Sequence, residues 1–145
     1  MIPAPGYVVD ASVLVKWFMA QKYRSLALGL RELHLSGRSN LVVLELTFLE
    51  VLNAIRNNPK AKEKDAAEAL FVLKNLHFQI QPADFQLLHK ANAIAWTYGI
   101  TIYDALYVAL AEQIRFPLIA ADEVLIEKLK GHSPVVALRE LSLSG

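Results

Sequence analysis

Short apolar runs alternate along the chain with longer stretches whose apolar residues recur every three or four positions, and this alternation predicts an α/β domain with a mainly parallel sheet. Gly6-Tyr7-Val8-Val9 is the first run and reads as a buried strand ending at Asp10. Val13 to Phe18 is expected to be helical, because helix follows and no turn signal intervenes. Tyr23, Leu26, Ala27, Leu30 and Leu33 keep the spacing of an amphipathic helix that stops near Gly37. Leu41 to Leu44 is a second strand, followed by a helix carrying Phe48, Glu50, Leu52 and Asn53 as far as Asn57-Asn58-Pro59. Ala66, Ala69, Leu70 and Leu73 stripe a further helix, and Phe78-Gln79-Ile80 makes a short strand closed by Pro82. Leu87, Ala91, Ile94 and Tyr98 mark a helix ending at Gly99, and Tyr103 to about Ile114 forms one that is apolar almost all round. Phe116 to Ala120 is a strand running into Asp122, Val124 to Lys130 a short helix, and Val135-Val136 a last strand.

The length of 145 residues suits a single domain over residues 1–145 with its own core. Apolar residues make up 54% and charged residues 20%, a globular balance. No cysteine is present, which excludes disulfides, thiolate metal sites and cysteine nucleophiles. The opening residues Met1 to Gly6 lack the basic and apolar regions of a signal peptide, and apolar runs break at Lys16, Glu50 or Asp104 well short of a membrane span. The expectation is a soluble, cytoplasmic protein with no membrane role. A net charge of +1 does not by itself point to nucleic acid. Arg56, Lys60, Lys62 and Lys64 are the best local concentration of positive charge, read either as a solvated turn and helix start or as a phosphate-contacting edge.

Several chemistries are excluded. The six glycines are too dispersed for a phosphate-cradling loop, there is no Gly-x-Ser-x-Gly elbow, and His34, His77, His89 and His132 lack ligand spacing. Four carboxylates remain in unusual settings. Asp10 and Asp122 each end an apolar strand, where an open parallel sheet presents its ligand crevice. Glu50 and Asp104 interrupt helices that have little other polar surface. If the four converge, each pair near 4 Å costs about 4 kcal/mol at an effective dielectric near 20. A hard divalent cation, Mg²⁺ or Mn²⁺, removes that penalty and brings phosphodiester hydrolysis with it. Taken singly, each acid has a plainer reading. Asp10 and Asp122 suit helix caps, Thr101 and Asp104 resemble a capping box, and Glu50 suits a salt bridge or a half-exposed face.

The residues around these acids resemble the PIN-domain ribonucleases, especially the VapC-type toxins of toxin–antitoxin pairs. Val8-Val9-Asp10-Ala11-Ser12-Val13-Leu14-Val15-Lys16-Trp17-Phe18 is similar to that family's opening motif, and Glu50-Val51-Leu52-Asn53-Ala54-Ile55 to its second. Tyr103-Asp104-Ala105-Leu106-Tyr107-Val108-Ala109-Leu110-Ala111-Glu112 resembles the third, and Leu118-Ile119-Ala120-Ala121-Asp122 the fourth. The resemblance implies a PIN-like fold, with a parallel sheet of about five strands flanked by helices. It also implies a Mg²⁺- or Mn²⁺-dependent endoribonuclease, a small antitoxin partner and frequent homodimers. Asp10, Glu50, Asp104 and Asp122 would be the metal ligands and catalytic acids, and Ser12 and Asn53 would brace them.

Two positions depart from the family pattern. Val43-Leu44-Glu45 lacks a proline often found before the second motif, and Ala120 stands where a threonine or serine is common. Losing that hydroxyl removes a hydrogen bond of the kind that tunes metal affinity. Trp17, Tyr103 and Tyr107 read either as core or as stacking surfaces for bases. The rival to the nuclease is a PIN-fold interaction protein with weak or no nuclease activity. An aspartyl-phosphate phosphotransferase would want a second aspartate at position 12, which is serine.

Overall fold

The apolar runs become strands, and the three central ones are buried on both faces while the outer two are more exposed. The computed structural model describes residues 5–132 and 134–143, so the opening residues 1–4 weighed above lie outside the described residues. Five strands, β1 (Gly6–Val9), β2 (Asn40–Leu44), β3 (Gln79–Gln81), β4 (Leu118–Ala120) and β5 (Val135–Ala137), form one sheet in the order β3-β2-β1-β4-β5. Every neighbouring pair is parallel, with Val8 opposite both Val42 and Leu118. Alternate residues sort onto opposite faces. Val8, Val42, Leu44, Leu118 and Ala120 join one core cluster, and Val9, Leu41, Val43 and Ile119 join the other. A parallel sheet packed on both sides reads as unbroken apolar sequence, which is why these runs lack a polar face.

Four helices contribute to the second cluster: α1 (Ala11–Leu14), α2 (Arg24–Leu35), α3 (Glu45–Arg56) and α4 (Glu63–Asn75). α5 (Phe85–Tyr98), α6 (Ile102–Ile114) and α7 (Glu123–Lys128) build the first. α6 is buried from Ala105 to Ala111, as its all-round apolar sequence requires. Among the described residues no single helix is long and apolar enough to cross a membrane; α5 and α6 meet at 115°.

The departures from expectation are local. The helix expected over Val13 to Phe18 divides into α1 and a 3₁₀ turn at Val15–Trp17. β4 begins at Leu118, because Pro117 has no N–H to give a ladder and offers only its carbonyl, 2.9 Å from the Val8 amide. α5 starts earlier than its apolar stripe because Asp84 caps it, accepting the Leu87 N–H at 2.8 Å. A 3₁₀ turn at Leu138–Glu140 closes the described chain without a signal in the apolar pattern.

This topology fixes where a site can lie. The chain winds from β1 out to β3, then returns to place β4 on the other side of β1. The carboxyl ends of β1 and β4 therefore flank the point where winding reverses, the place where such sheets bind ligands.

Candidate active site

β1 carries Asp10 to this crevice in extended conformation, φ −98° and ψ 177°, directly ahead of α1. Its carboxylate makes no capping bond to that helix. Instead Oδ1 accepts the Ser12 hydroxyl at 2.6 Å, and Ser12 Oγ accepts the Ala121 N–H at 3.1 Å. One hydroxyl thus ties the exit of β4 to the acid at the exit of β1. Asp10 is only 5% exposed. Burial pushes its carboxyl up to about 7, the Ser12 bond opposes this, and the charges of Asp104 and Glu50 add to it.

Glu50 lies in the second turn of α3, half-buried, and is held by a buried relay. The Tyr107 hydroxyl donates to Glu50 Oε1 at 2.5 Å, and Thr47 Oγ1 lies 2.8 Å from the same phenol. The Leu44 N–H donates to Thr47 Oγ1 at 3.1 Å. Because Tyr107 has one proton and gives it to the carboxylate, Thr47 is the donor in the middle link. Burial and the neighbouring Glu50 carboxylate push the Tyr107 phenol far above its ordinary range, so it stays a donor. Glu50 itself is raised by burial, with Tyr107 opposing and Asp104 adding.

Asp104 sits in the first turn of α6, where Thr101 caps the helix by accepting the Asp104 N–H at 3.1 Å. The cap uses the Asp104 backbone, and the half-buried Asp104 carboxylate lines the crevice beside the same Thr101 hydroxyl. Burial raises the Asp104 carboxyl, Thr101 opposes this, and Asp122 raises it further. Asp122 is exposed and does act as a cap: its Oδ1 accepts the N–H groups of Val124 and Leu125 at 2.9 and 3.2 Å.

The four acids therefore share one edge as a linked series: Asp10 feels Glu50 and Asp104, Glu50 feels Asp104, and Asp104 feels Asp122. Among the described residues none of them forms an ion pair within 4 Å. Nor does any group of three or more acids and histidines close tightly enough to be a formed metal cage. The donors are all carboxylates, and burial and mutual repulsion raise Asp10, Glu50 and Asp104, which is the chemistry a hard dication relieves. Histidine adds nothing here: His34 bridges the Leu41 N–H and the Leu76 carbonyl, and His132 joins Tyr98 to Glu112.

Two expectations change at the level of single side chains. The Asn53 side chain is exposed and makes no hydrogen bond among the described residues, and the groups that bond or back Glu50 are Tyr107 and Thr47. Tyr107 is 1% exposed, which excludes it as a base-stacking surface; Trp17 is likewise core, and Tyr103 stays exposed. The signal for Tyr107 was present in the sequence, since a phenol inside an otherwise apolar helix needs a partner for its O–H. Ala120 is fully buried in β4, and the hydroxyl serving this end of the sheet is that of Ser12.

Comparison with known proteins agrees with this architecture. The family model described as PIN domain matches residues 7–130. Ribonuclease VapC3 of Pyrobaculum aerophilum is 31% identical over 125 residues, 83% of this chain and 92% of that protein. Exonuclease VapC9 of the same organism is 30% identical over 132 residues, 91% of this chain and 92% of that protein. Among solved structures, a toxin–antitoxin complex from Klebsiella pneumoniae superposes with a TM-score of 0.70 at 18% identity, covering 93% of this chain and 99% of that one. The parallel five-stranded sheet, the acids at its switch point and these matches agree: the chain belongs to the PIN-domain family.

Proposed function

We propose that this chain is a divalent-metal-dependent endoribonuclease of the VapC toxin kind, acting as one domain through Asp10, Glu50, Asp104 and Asp122. The observation that carries this reading is Asp10, a buried carboxyl without a cationic partner, set against two further acids. Such an arrangement is costly in a purely structural role. It is serviceable where a hard cation is to be held, and Mg²⁺ or Mn²⁺ suits an all-oxygen donor set.

In this reading Asp10, Glu50, Asp104 and Asp122 would hold the cation, and the chemistry it would supply there is activation of a water and neutralisation of charge at the phosphate. The protein's part is orientation. Ser12 fixes the Asp10 carboxylate against the β4 exit, and Tyr107 with Thr47 fixes Glu50 against the β2–α3 junction. Partners that orient metal-holding carboxylates in this way strongly affect metal affinity. Tyr107 is a positioning residue, since it acts through Glu50.

The test uses purified full-length protein and labelled single-stranded RNA, one substrate linear and one closed into a circle. Cleavage of both with Mg²⁺ or Mn²⁺, loss with chelator, and loss in a folded Asp104→Asn variant are the expected results. Cleavage of the linear RNA alone would make the enzyme an exonuclease, as one relative is named. No cleavage with either metal would favour an interaction protein. The toxin assignment further proposes a small antitoxin and a homodimer, supported by the solved toxin–antitoxin complex of the same fold and by exposed apolar surface at Phe85 and Trp96. Copurification with a co-expressed neighbouring small protein, and mass measurement of the chain alone, test these two points.

A further inference from the structure

A cavity of about 340 Å³ opens beside Asp104 and Asp122, near the lower limit of small-ligand pockets, roughly 300 Å³. Lys128, Ile100 and the exposed Val124 line the same cavity. Helix α7 therefore presents an acid at its start and a cation at its end to the same cavity. Lys128 Nζ donates to the Gly99 carbonyl at 3.1 Å. Gly99 ends α5 in the left-handed conformation, φ 66°, and its carbonyl belongs to the electron-rich end of that helix. The ammonium is thus steered toward the cavity, and two of its three N–H donors have no protein partner among the described residues.

The acids make this cation consequential. An RNA strand brings a phosphate for every nucleotide toward a group of carboxylates that repel it. Lys128 is the one cation lining the cavity among its described residues, and its charge reaches Asp104. Lysine binds phosphate as a compact point charge. The apolar side of the cavity, at Ile100 and Val124, offers contact for the sugar or base of the same nucleotide.

We propose that Lys128 binds a backbone phosphate of the RNA next to the bond being cut, making this cavity the seat of one flanking nucleotide. The inference rests on the nuclease reading. Its rival is a purely structural lysine that caps α5 and balances Asp104.

The test measures binding of a fluorescein-labelled single-stranded oligoribonucleotide to full-length protein carrying Glu50→Gln, which stops turnover, between 50 and 200 mM salt with Mg²⁺ present. Adding Lys128→Met is expected to weaken binding by roughly three- to tenfold at low salt and to flatten the log–log salt dependence by about 0.7, one phosphate contact on a single strand. Lys128→Arg is expected to keep the slope. Lys74→Met, a control on α4, should leave it unchanged. An unchanged slope in Lys128→Met with only a lower unfolding midpoint would overturn the proposal in favour of the structural lysine. Equal flattening by Lys74→Met would also overturn it, as diffuse charge. If the otherwise unaltered chain cleaves no RNA and the Glu50→Gln chain binds none, the nuclease reading itself has failed. Cleavage with an unchanged slope defeats Lys128 alone.

Discussion

β1 and β4 lie side by side, and each is followed within two residues by an aspartate that immediately precedes a helix. In sequence the two look interchangeable, and either could cap. In the structure Asp122 is exposed and its Oδ1 takes two backbone N–H groups of α7, whereas Asp10 is 5% exposed, makes no such capping bond and feels the α1 backbone only weakly, through Val13. Ser12 explains part of the difference by engaging Asp10 and the Ala121 amide together. Burial explains the rest: Asp10 is raised to about 7, well above its ordinary range, while its neighbour across the sheet lies in solvent. Equivalent topological places can thus hold one acid that stabilises local structure and one that the fold strains against.

The contrast can be broken most forcefully at Asp10. Asp10→Asn keeps size and the Ser12 contact but removes the charge, and we expect cleavage of RNA to fall by roughly 10²–10³-fold. Stability should not fall with it. Retention of activity in a single-turnover assay would remove Asp10 from the site.

A second measurement concerns pH. Asp10 ordinarily ionises at 3.8 and in this fold at about 7, so between these values the folded chain keeps a proton that the unfolded chain has lost. Folding stability without metal must therefore decline as pH rises through that window, by on the order of 3 kcal/mol from this group. Glu50 and Asp104, raised in the same direction, add to the slope. Urea unfolding in chelator at pH 4.5 and 8 reads this directly. Asp10→Asn should flatten the dependence, and added Mn²⁺ should recover stability at the upper pH. A profile that rises with pH would contradict the strained-acid picture.

Smaller effects sharpen the comparison. Tyr107→Phe removes the donor to Glu50 with little loss of volume, and metal affinity by calorimetry should weaken about 10–100-fold. Thr47→Val should move the same quantity less, because it acts one link further back. At Asp122 two substitutions separate two roles. Asp122→Ala should cost about 1 kcal/mol of stability through the lost cap, while Asp122→Asn, an equally good cap, should not. If both lose cleavage alike, Asp122 serves chemistry as well as α7. If Asn retains it, capping is its whole function.

The sheet and its crevice were legible because strands enclosed on both faces must be apolar throughout, so a carboxylate at the end of such a run stands out. Every strand expected from the apolar runs is present, and the four acids lie on one edge of the sheet. What the pattern could not convey was direction within a turn. Glu50 and Asn53 are three residues apart on α3 and nominally neighbours, yet Asn53 faces solvent. Tyr107 stands three residues beyond Asp104 on α6 and turns inward to reach Glu50 across to α3. Helical spacing leaves such choices to packing, and here the buried phenol needed an acceptor that only a residue 57 positions away supplied. The caps were ambiguous for a related reason: whether an aspartate bonds its own helix depends on what else competes for its oxygens, and Ser12 was the competitor.

The place of β1 in the middle of the sheet has a consequence for how the protein is made. Its partner β4 lies far along the chain, and the bond from Ala121 to Ser12 joins residues 109 positions apart. A ribosome that has released the first half of the chain has delivered Asp10 and Glu50, but not Asp104, Tyr107 or the strand that encloses them. Long-range closure of this kind is a late event in folding. A truncated or stalled translation product therefore carries half of the acids and none of the closure, and under the proposed nuclease reading it would leave the RNA around it uncut.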